Sequence, residues 1–126
     1  MKTVDIGKIG EKLACKFLRK NGYKIIKTNI HVSHNEIDII AKNREYIVFV
    51  EVKTRSTDKE LYSPYGSPAS AVDKNKQART ISAARIFLSR NKKISLQPRF
   101  DVIEVFLDKS TNDTLHINHI INAFSA

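Results

Sequence analysis

An apolar segment that ends in two charges is the first feature of this sequence that can carry chemistry. Residues 46–53 are typical of a strand whose side chains alternate between two sides, and Glu51 and Lys53 interrupt a row that is otherwise apolar. Side chains two positions apart in a strand share a side, with their Cα atoms roughly 7 Å apart. Burying both charges without partners would cost on the order of several kcal/mol, so the pair needs solvent, an opposite charge or a ligand.

The preceding segment brings another carboxylate to the same region. In residues 36–40, Glu36 and Asp38 share one side of a predicted strand. The short polar stretch of residues 42–45 predicts a hairpin between this strand and the next. Antiparallel pairing then sets Asp38 opposite Glu51 or within about two positions of it.

Two carboxylates beside an ammonium group suit a hard divalent cation. Mg²⁺ and Mn²⁺ prefer oxygen ligands, and the carbonyl of Val52 would add one to those of Asp38 and Glu51. The Lys53 ammonium would orient or acidify an attacking water, or stabilise charge on a phosphate. The plainer alternative is a weak ion pair at a solvated strand end. The apolar run before the pair, and Asp38 on the neighbouring strand, favour the reactive site.

The composition indicates a polyanionic partner. The chain has 22 Lys and Arg against 13 Asp and Glu, a net charge of +9, which favours nucleic acid because a basic surface releases counterions from phosphates. A basic solvated surface without a partner is the alternative. No stretch is apolar enough to span a bilayer and the N-terminus lacks a signal-peptide core, so we expect no membrane partner. A single cysteine excludes an internal disulfide and favours a cytoplasmic location.

The elements that must position these side chains follow from the hydrophobic period. Helical spacing and strand alternation predict a helix, three strands, a loop, a second helix and two strands. Their expected bounds are residues 6–20, 23–30, 36–41, 46–53, 54–70, 73–91, 99–107 and 115–121. Asp73 is expected to cap the second helix. Tyr62 and Tyr65 are interpreted as ordinary loop aromatics in preference to residues that stack on bases.

The expected architecture is an α/β fold with one mixed sheet flanked by helices, in the order αβββαββ, forming a single domain over residues 1–126. Each helix has one apolar face. Glu11 flanks that face in the first helix and could point toward the sheet, with a solvated glutamate as the alternative. The apolar faces consist of Ile6, Ile9, Leu13 and Phe17 in the first helix, and Ala78, Ile81, Ala84 and Leu88 in the second.

Two motifs resemble those of a nuclease superfamily. Glu36-Ile37-Asp38 and, 13 residues beyond Asp38, the run Glu51-Val52-Lys53-Thr54-Arg55 resemble the PD-(D/E)XK signature of restriction-endonuclease-like proteins. More closely, the chain resembles the YraN-like family of predicted endonucleases, and its layout is similar to that of archaeal Holliday-junction resolvases. Further matching segments are Gly10-Glu11, Gly66-x-Pro68, Ala71-Val72, Lys76-Gln77, Arg99-Phe100-Asp101-Val102 and His119-Ile120-x-Asn122-Ala123-Phe124.

This resemblance implies a restriction-endonuclease-like core and an endonuclease that uses Mg²⁺ or Mn²⁺ to cut DNA, including branched or processed intermediates. By the same resemblance, Asp38 and Glu51 are metal ligands and Lys53 is the catalytic lysine. Glu11 matches a glutamate of the first helix that approaches the site in the resolvase-like branch.

The resemblance also implies contacts with the nucleic acid. Lys76 and Gln77 match a position at the start of the second helix that faces the site in related nucleases, with a solvated helical lysine as the alternative for Lys76. Arg55, just beyond Lys53, is expected to bind a phosphate. Resolvase-like relatives act as dimers, so a homodimer is expected by analogy alone.

The chain departs from the superfamily pattern without losing a catalytic group. Ile37 stands where the signature has proline, and Asn35 stands where the family has glycine. Asparagine tolerates left-handed backbone best after glycine, so the turn is expected to survive. Two other functions stay open: a non-catalytic nucleic-acid-binding module that keeps the fold, and a partner-dependent subunit that dimerises through its sheet edge.

Four remaining residues are given structural roles. Cys15 is expected to pack as a small apolar residue in the first helix. Asp101 is expected to accept structural hydrogen bonds. His116 and His119 fall on opposite faces of the last strand, so they are not expected to share a metal.

Overall fold

Two helices and five strands make up the described part of the molecule, which in this computed structural model comprises residues 5–60 and 73–126. In chain order they are α1 (Ile6–Lys20), β1 (Lys24–Val32), β2 (Asn35–Lys42), β3 (Tyr46–Thr57), α2 (Lys74–Arg90), β4 (Gln97–Asp108) and β5 (Thr114–Phe124). The mixed α/β class and the order of the elements are those predicted. Within the described residues, no helix has the length and apolar content needed to cross a membrane.

The five strands form one sheet in the spatial order β1-β2-β3-β4-β5. β3 and β4 run parallel, and the other neighbouring pairs are antiparallel. The predicted β2–β3 hairpin is confirmed, and Asn43 Oδ1 accepts hydrogen bonds from the backbone N–H groups of Glu45 and Tyr46 in its turn. A parallel pair needs a long crossover connection, and α2 belongs to that connection.

Each side of the sheet packs against one helix. The predicted alternation along β3 is confirmed, because Val48 and Val50 pack with α1 on one side whereas Ile47 and Phe49 pack with α2 on the other. We call these the α1 side and the α2 side. β3 is buried on both sides through residues 47–50 and becomes partly exposed from Glu51 onward. The charged end of the strand therefore begins where the core ends.

The predicted helix faces are only partly right. In α1, the larger apolar residues flank a buried centre, and Cys15 is buried as expected. In α2, Ala84 is buried as predicted but Ala78 is exposed. The buried residues are Gly10, Ala14, Cys15 and Leu18 in α1, and Thr80, Ala83, Ala84 and Phe87 in α2. Phe87 belongs to the buried face of α2. Ala78 stands nine positions earlier, which places it on the opposite face of the helix, away from the sheet.

The loop predicted for residues 54–70 is wrong at its beginning. β3 continues to Thr57 because it pairs in parallel with β4 as far as Asp108, and Lys109 N–H donates to the Thr57 carbonyl over 2.8 Å. Because residues 54–57 are polar, their local sequence pattern does not predict this pairing. Tyr62 and Tyr65, together with the motifs at residues 66–68 and 71–72, lie outside the described residues.

The turn between β1 and β2 also differs from expectation. Asn35 begins β2 without a left-handed backbone, and Ser33 takes that conformation instead, with φ 58°. The substitution of asparagine for glycine at position 35 therefore costs no backbone strain.

Candidate active site

The site lies where β2 and β3 separate. Their described ladder runs from Lys42 opposite Ile47 to Ile39 opposite Val50, so Asp38 is the first residue of β2 past its end. Asp38 spans the gap, and its Oδ2 accepts a hydrogen bond from the backbone N–H of Val52 over 2.8 Å. In an extended strand the N–H and C=O of one residue point the same way, so the Val52 carbonyl is also directed toward the gap.

Asp38 has an environment that resists a negative charge. Its pKa is raised from 3.8 to about 6, mainly by burial, and the Val52 hydrogen bond opposes this rise. The negative charges of Glu51 and Glu11 contribute to this rise, whereas the positive charge of Lys76 opposes it. Two other carboxylates therefore lie within electrostatic reach of Asp38, which is an arrangement that a bound cation would stabilise.

Glu51 faces the α2 side and meets the start of that helix. Its Oε2 lies 3.6 Å from Lys76 Nζ, with 17% of the Glu51 side chain and 35% of the Lys76 side chain exposed. Asp73 caps α2 as predicted, because its Oδ1 accepts from the backbone N–H of Lys76 over 2.8 Å. The cap thereby fixes the helix turn that carries Lys76 and its neighbour Gln77.

Glu11 approaches from the α1 side through an unusually close contact between the helix and β3. A Cβ added to Gly10 would lie 1.8 Å from Thr54 Oγ1, so only glycine permits this approach. The next residue of the helix is Glu11, which is partly buried and raises the pKa of Asp38. The Gly10-Glu11 pair is thus explained by packing and charge together.

Two cationic side chains follow Glu51 on the same side of β3. Lys53 is partly buried and forms no ion pair with any described residue. Arg55 is held by Glu104 of β4, with 3.1 Å between Arg55 Nε and Glu104 Oε2. The structure therefore brings together Asp38, Val52, Glu51, Glu11 and Lys76 by hydrogen bond, ion pair or charge. Lys53 and Arg55 follow Glu51 along β3, and Gln77 follows Lys76 in α2.

Sequence reasoning missed Glu104. It interrupts the apolar strand β4 as Glu51 interrupts β3, and that interruption was the available signal. Its position beside Lys53 depends on the parallel pairing of β3 with β4, which no local pattern predicts.

Asp101 has the structural role predicted for it. The carboxylate is fully buried and accepts hydrogen bonds from Arg99 Nε and Nη2 over 2.9 and 2.8 Å, and from Asn122 N–H over 3.0 Å. His119 Nε2 lies 2.7 Å from Asp101 Oδ2, whereas His116 is exposed beside Phe106. Burial alone would raise the pKa of Asp101, but hydrogen bonds from His119 and Arg99 lower it.

The donor chemistry at the gap suits a divalent cation. Asp38 offers a carboxylate whose pKa is raised mainly by burial, and Glu51 and the Val52 carbonyl add oxygen donors of the kind that Mg²⁺ prefers. The Lys76 ammonium is the cation nearest to Glu51 among the described ion pairs. Within residues 5–60 and 73–126, no group of three or more His, Cys, Asp or Glu residues is gathered closely enough to hold a metal.

The fold and this site define a mixed α/β protein with a carboxylate and lysine centre at the opening between two central strands. The chain belongs to the uncharacterised protein family UPF0102, whose family model matches residues 10–105. That span includes every residue assigned above to the site.

Curated relatives match the chain along nearly its whole length. A UPF0102 protein of Caldanaerobacter subterraneus is 41% identical over 127 residues, covering 98% of this chain and 100% of the relative. UPF0102 proteins of Caldicellulosiruptor bescii and Clostridium acetobutylicum are 43% and 42% identical, covering 98% and 94% of this chain and 100% and 92% of the relatives. The YraN-like resemblance drawn from the motifs is therefore supported at the level of the family.

Proposed function

We propose that this protein is a Mg²⁺- or Mn²⁺-dependent endonuclease that hydrolyses phosphodiester bonds in DNA, including branched or processed intermediates. The observation that supports this most strongly is the Asp38 carboxylate, which lies where the β2–β3 ladder ends, accepts the Val52 N–H over 2.8 Å and has a pKa raised to about 6. Structural carboxylates usually have lowered pKa values because hydrogen bonds and cations stabilise their charge, as for Asp101. For Asp38, the Val52 hydrogen bond and the charge of Lys76 do not offset burial and the charges of Glu51 and Glu11, and a metal would supply the missing positive charge.

Each residue of the site has a role in this proposal. Asp38, Glu51 and the Val52 carbonyl would hold the cation, and Glu11 would add negative charge from α1. A bound divalent ion would polarise the scissile phosphate and acidify a water molecule. Lys53 has no described ion pair, so its ammonium is available to orient the attacking water or to neutralise charge on the phosphate.

The substrate class follows from the charge and the motifs. A net charge of +9 favours a polyanion, and the PD-(D/E)XK resemblance of residues 36–38 and 51–55 favours DNA. Lys76 lies beside Glu51, and it would contact backbone phosphates together with Gln77 and Arg55. A cytoplasmic protein that acts as a homodimer agrees with this proposal, because two symmetric strands require two active sites.

One observation favours a second candidate, a nucleic-acid-binding module that does not cut. Lys76 Nζ lies 3.6 Å from Glu51 Oε2, so an ammonium group already partly neutralises one of the two main carboxylates. A module of this kind would bind DNA through the same basic residues and would need no divalent ion.

A substrate panel separates the two candidates. Purified protein is incubated with labelled single-stranded, duplex, flap and four-way-junction DNA in Mg²⁺, in Mn²⁺ and in a chelator. The nuclease proposal expects metal-dependent products from at least one substrate. Binding to all substrates without any product, in either metal, would contradict it and support the module.

A further inference from the structure

Glu104 is a buried carboxylate that the site described so far does not use. Glu104 is only 1% exposed, and its neighbours Ile103 and Val105 in β4 are fully buried. It lies on the α2 side of the sheet, directly beside Lys53 in the parallel register of β3 and β4. A buried carboxylate is costly to keep unless both oxygens are engaged, so its partners indicate its purpose.

Both oxygens of Glu104 are engaged, by partners of different kinds. Oε1 accepts from Asn118 Nδ2 over 3.1 Å, across the antiparallel pair of β4 and β5. Oε2 accepts from Arg55 Nε over 3.1 Å. The Asn118 contact holds the carboxylate in place from one side, and the carboxylate then holds Arg55 from the other.

Arg55 is anchored at one end and open at the other. Its side chain is 41% exposed, and the two terminal Nη groups form no hydrogen bond or ion pair with a described residue. Because Glu104 takes only the Nε–H, the remaining donors of the guanidinium stay available. They lie on the same side of β3 as Lys53 and Glu51, two and four positions along the strand.

We propose that Glu104 is a positioning residue that holds the Arg55 guanidinium ready for a backbone phosphate of the nucleic acid. The inference rests on the proposed nucleic-acid substrate and adds to it a specific phosphate contact next to the reaction centre. A guanidinium binds phosphate through a planar fork, and fixing its orientation beforehand reduces the rotamer freedom lost on binding.

The sign of the effect makes this proposal testable. Glu104 is negatively charged, so by simple charge balance its removal should strengthen binding to a polyanion. If Glu104 mainly neutralises Arg55, the same strengthening is expected. A positioning role predicts the opposite, because the freed Arg55 side chain must be ordered when the phosphate binds.

The experiment measures the affinity of a labelled DNA duplex by fluorescence anisotropy, in a chelator so that no cleavage occurs. The variants are Glu104→Gln, Arg55→Ala and the double variant, with Glu45→Gln as the matched control. Glu45 is exposed in the β2–β3 turn, and Glu45→Gln removes the same charge as Glu104→Gln. We expect Glu104→Gln to weaken binding by about threefold to tenfold, and to have no further effect when Arg55 is alanine. Glu45→Gln should bind as tightly as the unmodified protein or slightly more tightly.

Unchanged or tighter binding by Glu104→Gln would overturn the proposal, and so would full additivity with Arg55→Ala. Circular dichroism and thermal unfolding establish that each variant is folded before its affinity is compared. Arg55→Lys provides a second test that leaves Glu104 intact. It keeps the charge but loses the planar fork, so it should bind nearly as weakly as Arg55→Ala, and binding equal to that of the unmodified protein would contradict the proposal.

This result is separate from that of the cleavage assay. A protein that binds DNA through the Arg55–Glu104 pair and never cuts it would support the positioning role and contradict the nuclease. A protein that cuts DNA with unchanged affinity in Glu104→Gln would do the reverse.

Discussion

Asp38 Oδ2 accepts a hydrogen bond from the backbone N–H of Val52 over 2.8 Å, across the point where β2 and β3 stop pairing. This contact ties the carboxylate to the strand that carries Glu51 and Lys53. It also satisfies a backbone donor that the interrupted β2–β3 ladder would leave open. The opening of the sheet and the position of the candidate reaction centre are therefore one structural feature.

The Asp38 carboxylate should lower the free energy of unfolding at neutral pH when no metal is bound. Its pKa is raised from 3.8 to about 6, so the folded state holds a proton that the unfolded state has lost between these values. Folding stability from this group is therefore present at low pH and is lost as the pH rises through about 6. Asp38→Asn should raise the free energy of unfolding at pH 7 by about 1–3 kcal/mol.

Urea unfolding in a chelator at several pH values measures this effect. Asp113→Asn is the control, because Asp113 is exposed in the turn before β5. We conclude that the charge of Asp38 is not destabilising if Asp38→Asn lowers the free energy of unfolding at pH 7, or if both variants change it equally.

Replacing Gly10 should destabilise the protein because of its close contact with β3. An alanine Cβ would lie 1.8 Å from Thr54 Oγ1 and 2.8 Å from Thr54 Cβ, so α1 must move away from the strand. We expect Gly10→Ala to lower the free energy of unfolding by about 1–3 kcal/mol. The displaced helix also carries Glu11, so the pKa of Asp38 should fall as that negative charge withdraws.

Gly7→Ala is the matched control within the same helix. Its nearest neighbour would be Asp5 Oδ1 at 3.2 Å, and alanine favours helix formation, so we expect a change within about 1 kcal/mol. Thermal unfolding compares the two variants. Equal effects at both positions would show that the Gly10–Thr54 contact has no special importance.

Lys76 should compete with a divalent cation for Glu51. Its Nζ lies 3.6 Å from Glu51 Oε2, and its charge lowers the pKa of Asp38. In Lys76→Ala the pKa of Asp38 should rise further, and Mg²⁺ should stabilise the protein at about threefold lower concentration. NMR titration of the Asp38 carboxyl and thermal unfolding across Mg²⁺ concentrations measure the two effects.

Lys74→Ala, at an exposed position in the same helix turn, is the control for the loss of one positive charge. If Mg²⁺ acts on Lys76→Ala and Lys74→Ala at the same concentration, competition at Glu51 is excluded.

Asp101 should contribute strongly to folding stability without contributing to DNA binding. Its carboxylate compensates the buried guanidinium of Arg99, so Asp101→Asn should cost about 3–5 kcal/mol of unfolding free energy. The lowered pKa of Asp101 means that its contribution is complete above its unfolded-state pKa and is lost as the pH falls through the folded value.

Urea unfolding as a function of pH should therefore show a weaker acid dependence in Asp101→Asn than in the unmodified protein. DNA affinity of the folded fraction should not change. If Asp101→Asn leaves stability unchanged and weakens DNA binding, Asp101 is a binding residue and its structural role is contradicted.

The sequence was most informative where the structure depends on local patterns. Alternation along β3 and the short turn after β2 were sufficient to bring Asp38 to the neighbourhood of Glu51, because hairpin register is set by a few residues. The α2 face was less predictable, since small residues such as Thr80 and Ala83 give a weak hydrophobic signal. Pairings across the crossover could not be predicted from local patterns: the Glu104–Arg55 pair was missed, and only the family resemblance indicated that Lys76 faces the site.

The most direct test of the central claim is the rate at which labelled DNA is cut as Mg²⁺ or Mn²⁺ is titrated, in the substrate that the panel identifies. Asp38→Asn and Lys53→Ala are compared with Asp113→Asn and Lys92→Ala, which alter the same residue types at exposed positions. We expect metal-dependent cleavage that falls by at least about 100-fold in the two site variants and persists in the two controls. Cleavage that survives in both site variants, or that requires no metal, would contradict the central claim.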